Sequence, residues 1–274
     1  MGLLVIDESK CKKDGVCVSE CPAAIIRLKG SDACPHVRPE DEAACILCGH
    51  CVAACPHGAL NHSRIPAEGC PSIQEGLMIT HEQAVQFLRS RRSIRRFKDR
   101  AVERHKISRL IEIARYAPSS GNSQSVEWTV FTDRKKIRQF SELTIDCLRK
   151  IVQESPPAAV PSYLPRIVAA WDAGNDSVLR NAPVLIVASA PKELPNGMVD
   201  VALCLSYLDL AAPTMGLGTC WCGLVQRGLL DWPPLREAIG LPEGHTSHFP
   251  IMLGYPQITY HRLPERKKPK IVWK

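Results

Sequence analysis

The sequence predicts a mixed helix–strand fold, α/β or α+β, preceded by a small cysteine-rich module. Three observations carry this. Nine of the thirteen cysteines fall before residue 71. Beyond residue 80, helical periodicities alternate with short continuous apolar runs, the pattern of buried strands between helices. The two parts also differ in charge: residues 1–75 carry 7 Lys/Arg against 10 Asp/Glu, 7 − 10 = −3, and the remainder carries 28 against 18, 28 − 18 = +10. A chain of 274 residues is long for one domain and short for three. The expected divisions are a module over 1–65, a Pro- and Gly-rich linker over 66–79 and a larger domain over 80–274.

Residues 45–56 read CILCGHCVAACP, that is Cys-x2-Cys-x2-Cys-x3-Cys-Pro. Residues 11–22, CKKDGVCVSECP, repeat the skeleton with Asp14 in place of the second cysteine. Thiolates suit iron–sulfur clusters and zinc. A zinc ribbon uses two separated Cys-x2-Cys pairs. Four cysteines in one run before a proline have instead the bacterial ferredoxin spacing, in which three hold one cluster and the fourth crosses to the other. By that crossing one cluster takes Cys45, Cys48, Cys51 and Cys21, and the other takes Cys11, Cys17, Cys55 and Asp14. A decayed copy would have lost more than one ligand or the spacing itself. Here the one change is to an anionic side chain, so Asp14 is expected to bind iron, less firmly than a thiolate does. The first cluster is then [4Fe–4S] with a carboxylate ligand, or [3Fe–4S] after loss of that iron; outright loss of the cluster is the alternative. Cys34 and Cys70, each followed by Pro, have no partners at ligand spacing and are expected to be ordinary buried thiols.

In the larger part, Thr80-His-Glu-Gln83 fits a capping box at the start of a helix whose Ala84, Phe87, Leu88 and Arg91 share a face. A second helix carries Ile107, Leu110, Ile111 and Ala114 at i, i+3, i+4 and i+7. A polar loop, SSGNSQS, leads to a strand at EWTVFTD; PVLIVASA (183–190) and FPIMLGY (249–255) read as buried strands. Residues 141–178 are expected to be helical with a Pro-rich break. The apolar run 199–218 contains Asp200, Asp209 and Pro213, so it reads as a buried helix and no membrane contact is expected. The start MGLLVIDESK has neither a basic n-region nor a long apolar stretch. A cytoplasmic location is therefore expected, where clustered cysteines point to metal and not to disulfides.

Four segments carry the remaining chemistry. RRSIRRF (91–97) concentrates guanidinium groups suited to a phosphate. Pro118-Ser-Ser-Gly-Asn-Ser-Gln124 offers small residues for close backbone approach. GLGTCWCG (216–223) reads as a Gly-rich turn without the order of a Rossmann site. RLPERKK (262–268) is a basic tail. Each alone is weak. Together and in this order they resemble the nitroreductase family of FMN enzymes, over roughly residues 80–274. With the cysteine module in front, the chain resembles a ferredoxin–nitroreductase fusion.

That resemblance implies an α+β fold, a nitroreductase-like sandwich with helices on both sides of a sheet, behind a ferredoxin-like dicluster domain. It implies an intertwined homodimer with FMN at the interface. Arg91, Arg92, Ser93 and Arg95 match the family positions that hold the phosphate and one edge of the ring. Pro118, Ser119 and Ser120 match the loop laid against the partner's flavin, and Asn122 and Gln124 belong to the same motif. Cys222, Gly223 and Leu224 match the segment whose backbone amides approach flavin N5, and Arg266 and Lys267 match the basic tail at the phosphate. Ser125 departs from the pattern, where Pro is usual. Arg180 and Asn181 are candidates for the pyrimidine edge. A dithiol role for Cys220 and Cys222 is not expected, because Cys-x-Cys is not the thioredoxin spacing.

The expected function is an FMN-dependent oxidoreductase reducing nitroaromatics, quinones or similar flat electrophiles, with two iron–sulfur clusters carrying electrons to or from the flavin. NAD(P)H or an external ferredoxin would donate. The flavin carries the hard chemistry, so no catalytic side chain is assigned. The alternatives are an electron-transfer protein serving a protein partner, or another reaction of the same family such as reductive dehalogenation. The basic half alone would also suit nucleic acid. With aromatics at 5% and the arginines in the FMN motifs, no such partner is expected.

Overall fold

A chain pinned every few residues by a cysteine has little room for long elements, and the N-terminal part is built accordingly. The computed structural model describes residues 2–30 and 33–274. The chain divides into two units, Met1–Ile79 with Gly121–Ser123, and Thr80–Ser120 with Gln124–Lys274. The first holds β1 (Leu4–Ile6), the single-turn helix α1 (Val16–Ser19), β2 (Ile26–Arg27), β3 (His36–Val37), α2 (His50–Ala53) and β4 (Leu60–His62). Strands β1 and β4 pair antiparallel with Leu4 opposite His62, and β2 and β3 pair with Ile26 opposite Val37. Residues 66–79, expected as a linker, carry two short 3-10 turns and group with this unit.

This unit repeats itself at an offset of 45 − 11 = 34 residues. Helix α1 maps onto α2, and Lys13 onto Leu47, Gly15 onto Gly49 and Ala24 onto Gly58; all six of these residues have positive φ. L-residues other than Gly adopt that conformation at a cost. Its recurrence at matched positions marks one loop geometry used twice. Asp14 therefore occupies the backbone place that Cys48 occupies in the other half.

The second unit contains α3 (His81–Ser90), α4 (Arg104–Ala114), β5 (Glu127–Phe131), α5 (Arg134–Glu154), α6 (Leu164–Asp172), β6 (Val184–Pro191), α7 (Gly197–Ala211), β7 (Gly218–Trp221), α8 (Gly223–Asp231), α9 (Pro233–Ile239) and β8 (His245–Gly254). The strands form one antiparallel sheet in the order β5-β6-β8-β7. Because side chains alternate along a strand, Leu185 and Val187 face one layer, with Phe140 and Leu148 of α5, Leu164 of α6 and Val225 of α8. Val184, Ile186 and Ala188 face the other, with Leu110 of α4 and Leu205 and Leu208 of α7. Both faces of β6 are covered, which is why its sequence is a continuous apolar run and not an alternation.

The segment expected as a Gly-rich turn is in fact strand β7, entered through Gly216 at φ 71°. Pairing with β8 makes the strand, with Thr219 opposite Leu253 and Trp221 opposite Ile251. Helix α7 with the turn after it, Gly197–Met215, is long and apolar enough to cross a membrane. Its buried Asp200 and Asp209 are hydrogen-bonded inside the protein, as a core helix requires.

The arginine segment runs beside β7. Ile94 N–H donates to the Thr219 carbonyl at 2.8 Å and Lys98 N–H to that of Tyr255 at 2.8 Å. Two glycines allow the approach: a Cβ on Gly218 would overlap Ile94 Cγ1, and one on Gly254 would lie 2.7 Å from Phe97 Cδ1. Gly218→Ala is expected to lose about 1–3 kcal/mol through overpacking. Chemical denaturation should show an earlier unfolding midpoint for this unit, and an unchanged midpoint would refute the close approach.

Candidate functional site

The cysteines of the first unit gather in two sets. A cavity is lined by Cys11, Asp14, Cys17, Cys55 and His57, among others. Burial raises the Cys17 thiol above its ordinary range, and the neighbouring charges of Cys55, Cys11 and Asp14 add to this. Cys51 is pushed up to about 11 by burial first, then by Cys48, Cys45 and Cys21. Among the described residues, no three His, Cys, Asp or Glu side chains close on a single metal ion. The first set surrounds a common space instead, and in the second Cys21, Cys45 and Cys48 neighbour Cys51, groupings that suit multi-iron clusters taking one ligand per iron. Because the buried thiols hold their protons, metal binding must displace them, and assembly is coupled to proton release.

Asp14 is held from two sides. Its Oδ1 accepts the Val16 N–H at 3.2 Å, and Oδ2 stands 3.3 Å from His57 Nε2. Asp14 borders the same cavity as Cys11, Cys17 and Cys55. Two expectations about the remaining thiols need correction. Cys70 is exposed, and Cys34 is half-buried, its thiol raised above the ordinary range by burial first and then by the neighbouring Cys11. The stretch leading into β3 brings Cys34 there, and spacing along the sequence carries no sign of it.

In the second unit, two neighbouring cavities of about 520 Å³ and 270 Å³ share Arg95, Ser177 and Arg180. The larger adds Arg96, Asp176, Asn181 and Gln257; the smaller adds Tyr163, Arg227, Cys222, Gly223 and Leu224. Four guanidinium groups thus border this space. The one carboxylate, Asp176, is already satisfied: it accepts the backbone N–H groups of Val178 at 3.1 Å, Leu179 at 2.9 Å and Asn181 at 3.0 Å. The same clamp holds Arg180 and Asn181 at φ 58° and 55°, a conformation non-Gly residues rarely adopt. Gly223 begins α8, and a Cβ there would meet nothing within 4 Å. The space therefore has a cationic wall, a helix N-terminus and an open cradle, the features that receive an anion.

The other motif residues line neither cavity. Arg91 Nη1 lies 3.4 Å from Asp209 Oδ2, and Asp209 also accepts the Trp221 indole N–H at 3.2 Å and the Thr219 hydroxyl. Ser93 precedes Ile94, whose N–H reaches the Thr219 carbonyl of β7, and the Arg92 guanidinium lies 5.9 Å from the Tyr260 ring centroid. Pro118 leads into a loop pinned to α7: Ser120 N–H donates to Asp200 Oδ1 at 3.1 Å, and Asn196 donates to Ser120 Oγ at 2.8 Å. Ser119 Oγ accepts the Gln124 N–H at 3.0 Å. Asn122 groups with the first unit, its Nδ2 donating to the carbonyls of Ile46 and Leu47 at 3.0 and 2.9 Å. Arg266 and Lys267 lie on the exposed tail and line neither cavity.

Burial raises both Cys220 and Cys222, Cys222 far above the ordinary thiol range. Neither is a ready thiolate. Ser189, His245 and Glu127 form a hydroxyl–imidazole–carboxylate chain, with Ser189 Oγ 2.8 Å from His245 Nδ1 and His245 Nε2 3.6 Å from Glu127. Ser189 is fully buried within β6, so no substrate reaches it.

Residues 88–255 match the nitroreductase family model. The chain belongs to the nitroreductase family. Residues 9–60 match a 4Fe-4S dicluster domain, so this nitroreductase carries a ferredoxin-type domain in front. A putative NADH dehydrogenase/NAD(P)H nitroreductase of Archaeoglobus fulgidus is 28% identical over 181 residues, 64% of this chain and 87% of that protein. A 4-nitrobenzoate reductase of a Nocardioides species is 28% identical over 198 residues, 61% of this chain and 78% of that protein. A nitroreductase of Desulfitobacterium hafniense, solved with bound FMN, shares the fold at a TM-score of 0.57 and 21% identity, covering 71% of this chain and all of that one. The nitroreductase fold and oxidoreductase class expected from the motifs thus hold.

Proposed function

We propose that this nitroreductase binds FMN in the paired cavities and reduces flat electrophiles such as nitroaromatics and quinones, with the two clusters exchanging single electrons with the flavin. The observation that carries this is the cationic space bounded by Arg95, Arg180 and the Cys222–Gly223–Leu224 turn. Its residues suit FMN: guanidinium groups suit the phosphate, and backbone N–H groups at the start of α8 suit the electron-rich edge of a flavin ring. Bound there, FMN would supply redox chemistry that accepts electrons singly and delivers them in pairs. The chain's own residues hold and orient it. Asp209 fixes Arg91, and Asp176 fixes the turn that presents Arg180. The 4-nitrobenzoate reductase relative supports a nitroaromatic acceptor.

The test is anaerobic turnover of 4-nitrobenzoate and a benzoquinone by FMN-loaded protein, with NADH, NADPH or a reduced ferredoxin as donor. Turnover well above that of free FMN is expected. A rate no better than free FMN would favour a protein acceptor instead.

A second copy of the chain is the proposed partner. Helix α3 buries no residue, and it exposes Leu88 at 57%, while the tail exposes Trp273 at 88%. A packed second copy would cover such apolar surface. Sedimentation of the full chain should give twice 30.3 kDa, and a monomer at micromolar concentration would reject the dimer.

A further inference from the structure

We infer that His62 is a hydrogen-bond donor to the Cys45 sulfur and raises the reduction potential of the cluster that Cys45 holds. The inference rests on Cys45 being a cluster ligand. His62 closes β4 and is 2% exposed. Its Nδ1 accepts the Arg64 backbone N–H at 3.1 Å. A backbone N–H can only donate, so Nδ1 carries no proton and the ring is the neutral form protonated on Nε2. Nε2 lies 3.5 Å from Cys45 Sγ. The one ring N–H is therefore aimed at the sulfur.

The surroundings hold the ring in that pose. The pairing of Leu4 with His62 fixes its place in the strand. Asn61 Oδ1 accepts both the His62 and the Ala67 backbone N–H at 2.9 Å, and Ile65 N–H returns to the His62 carbonyl at 3.1 Å. Reduction adds negative charge to a cluster and its thiolates. A donor at the sulfur stabilises the reduced state more than the oxidised one, and so raises the potential. The 34-residue repeat pairs this position with 62 − 34 = 28, and Leu28 has no polar side-chain atom. The device belongs to one half of the duplicated unit.

The test uses the anaerobically purified full chain, analysed first for iron and acid-labile sulfide. Potentiometric titration followed by electron paramagnetic resonance then compares wild type, His62→Leu and His62→Gln. In His62→Leu the potential of one cluster should fall by about 59 mV, a tenfold shift in a one-electron equilibrium. It should recover in His62→Gln, whose amide can donate, while the other cluster stays unmoved. A purely packing role predicts the reverse, since Leu fills an apolar site better than Gln. Should His62→Leu fail to assemble, pulsed resonance on ¹⁵N-histidine protein decides: a nitrogen coupling present in wild type and absent in His62→Gln is expected. An unchanged potential with the cluster intact, or no difference in coupling, overturns the inference alone. Absence of iron and sulfide in wild type removes the ligand reading and the inference with it.

Discussion

Stripping iron from the purified chain should unfold its first 79 residues and leave the second unit folded. The buried apolar core of the first unit is Leu3, Ile25, Ile26, Ala59 and Leu60, together with Cys17 and Cys51, which are themselves candidate ligands. Its strands are two or three residues long, its α-helices a single turn and its longest 3-10 helix six residues, Pro39–Ala44. A core in this size range rarely supplies more than about 3–5 kcal/mol, and small domains commonly depend on a bound metal group for the rest. The second unit has full apolar layers on both faces of its sheet and no such dependence. Hydrogen–deuterium exchange on holo and stripped protein is the direct measurement. Protection should vanish from the backbone amides of β1, α1, α2 and β4 and persist in β6, α7 and β8. Persistence in both units would mean that the loops are self-supporting.

Arg95→Ala should weaken FMN binding by about 10- to 100-fold, the equivalent of losing a charge-assisted hydrogen bond of about 1.5–3 kcal/mol. Arg95 is the motif arginine that borders both cavities. The Gly218 and Gly254 approaches hold its backbone against the sheet, so the substitution should leave the fold intact. Fluorescence titration of flavin-free protein with FMN gives the affinity, and circular dichroism checks the fold. An unchanged affinity in a folded variant would move the flavin away from this space and unseat the proposed function.

Local signals were legible, and long-range ones were not. The cysteine runs could be read because their spacing is itself the ferredoxin pattern, and residues 9–60 match a 4Fe-4S dicluster domain. The α3 capping box was legible for the same reason: Thr80 and Gln83 satisfy each other within one turn. Strand β7 was missed because Gly216 and Gly218 look like turn residues, and only pairing with β8 makes the segment extended. Asp209 and Asp200 stood out only as polar interruptions of an apolar run. That one fixes Arg91 and the other Ser120 depends on contacts across 118 and 80 residues. Asp176 had a local sign that could have been read. In Asp176-Ser-Val-Leu-Arg-Asn181, a carboxylate precedes several free backbone donors, a common way to cap a tight turn.

The 34-residue repeat has a consequence for how the clusters differ. Both halves share one loop geometry, so a difference between them at matched positions comes from side chains. Two such positions stand out, Asp14 against Cys48 and Leu28 against His62. Each half is thus an internal standard for the other, inside one molecule and one spectrum. Exchanging residues between matched positions alters the chemistry of a cluster while the scaffold stays constant, a comparison that two separate proteins cannot offer.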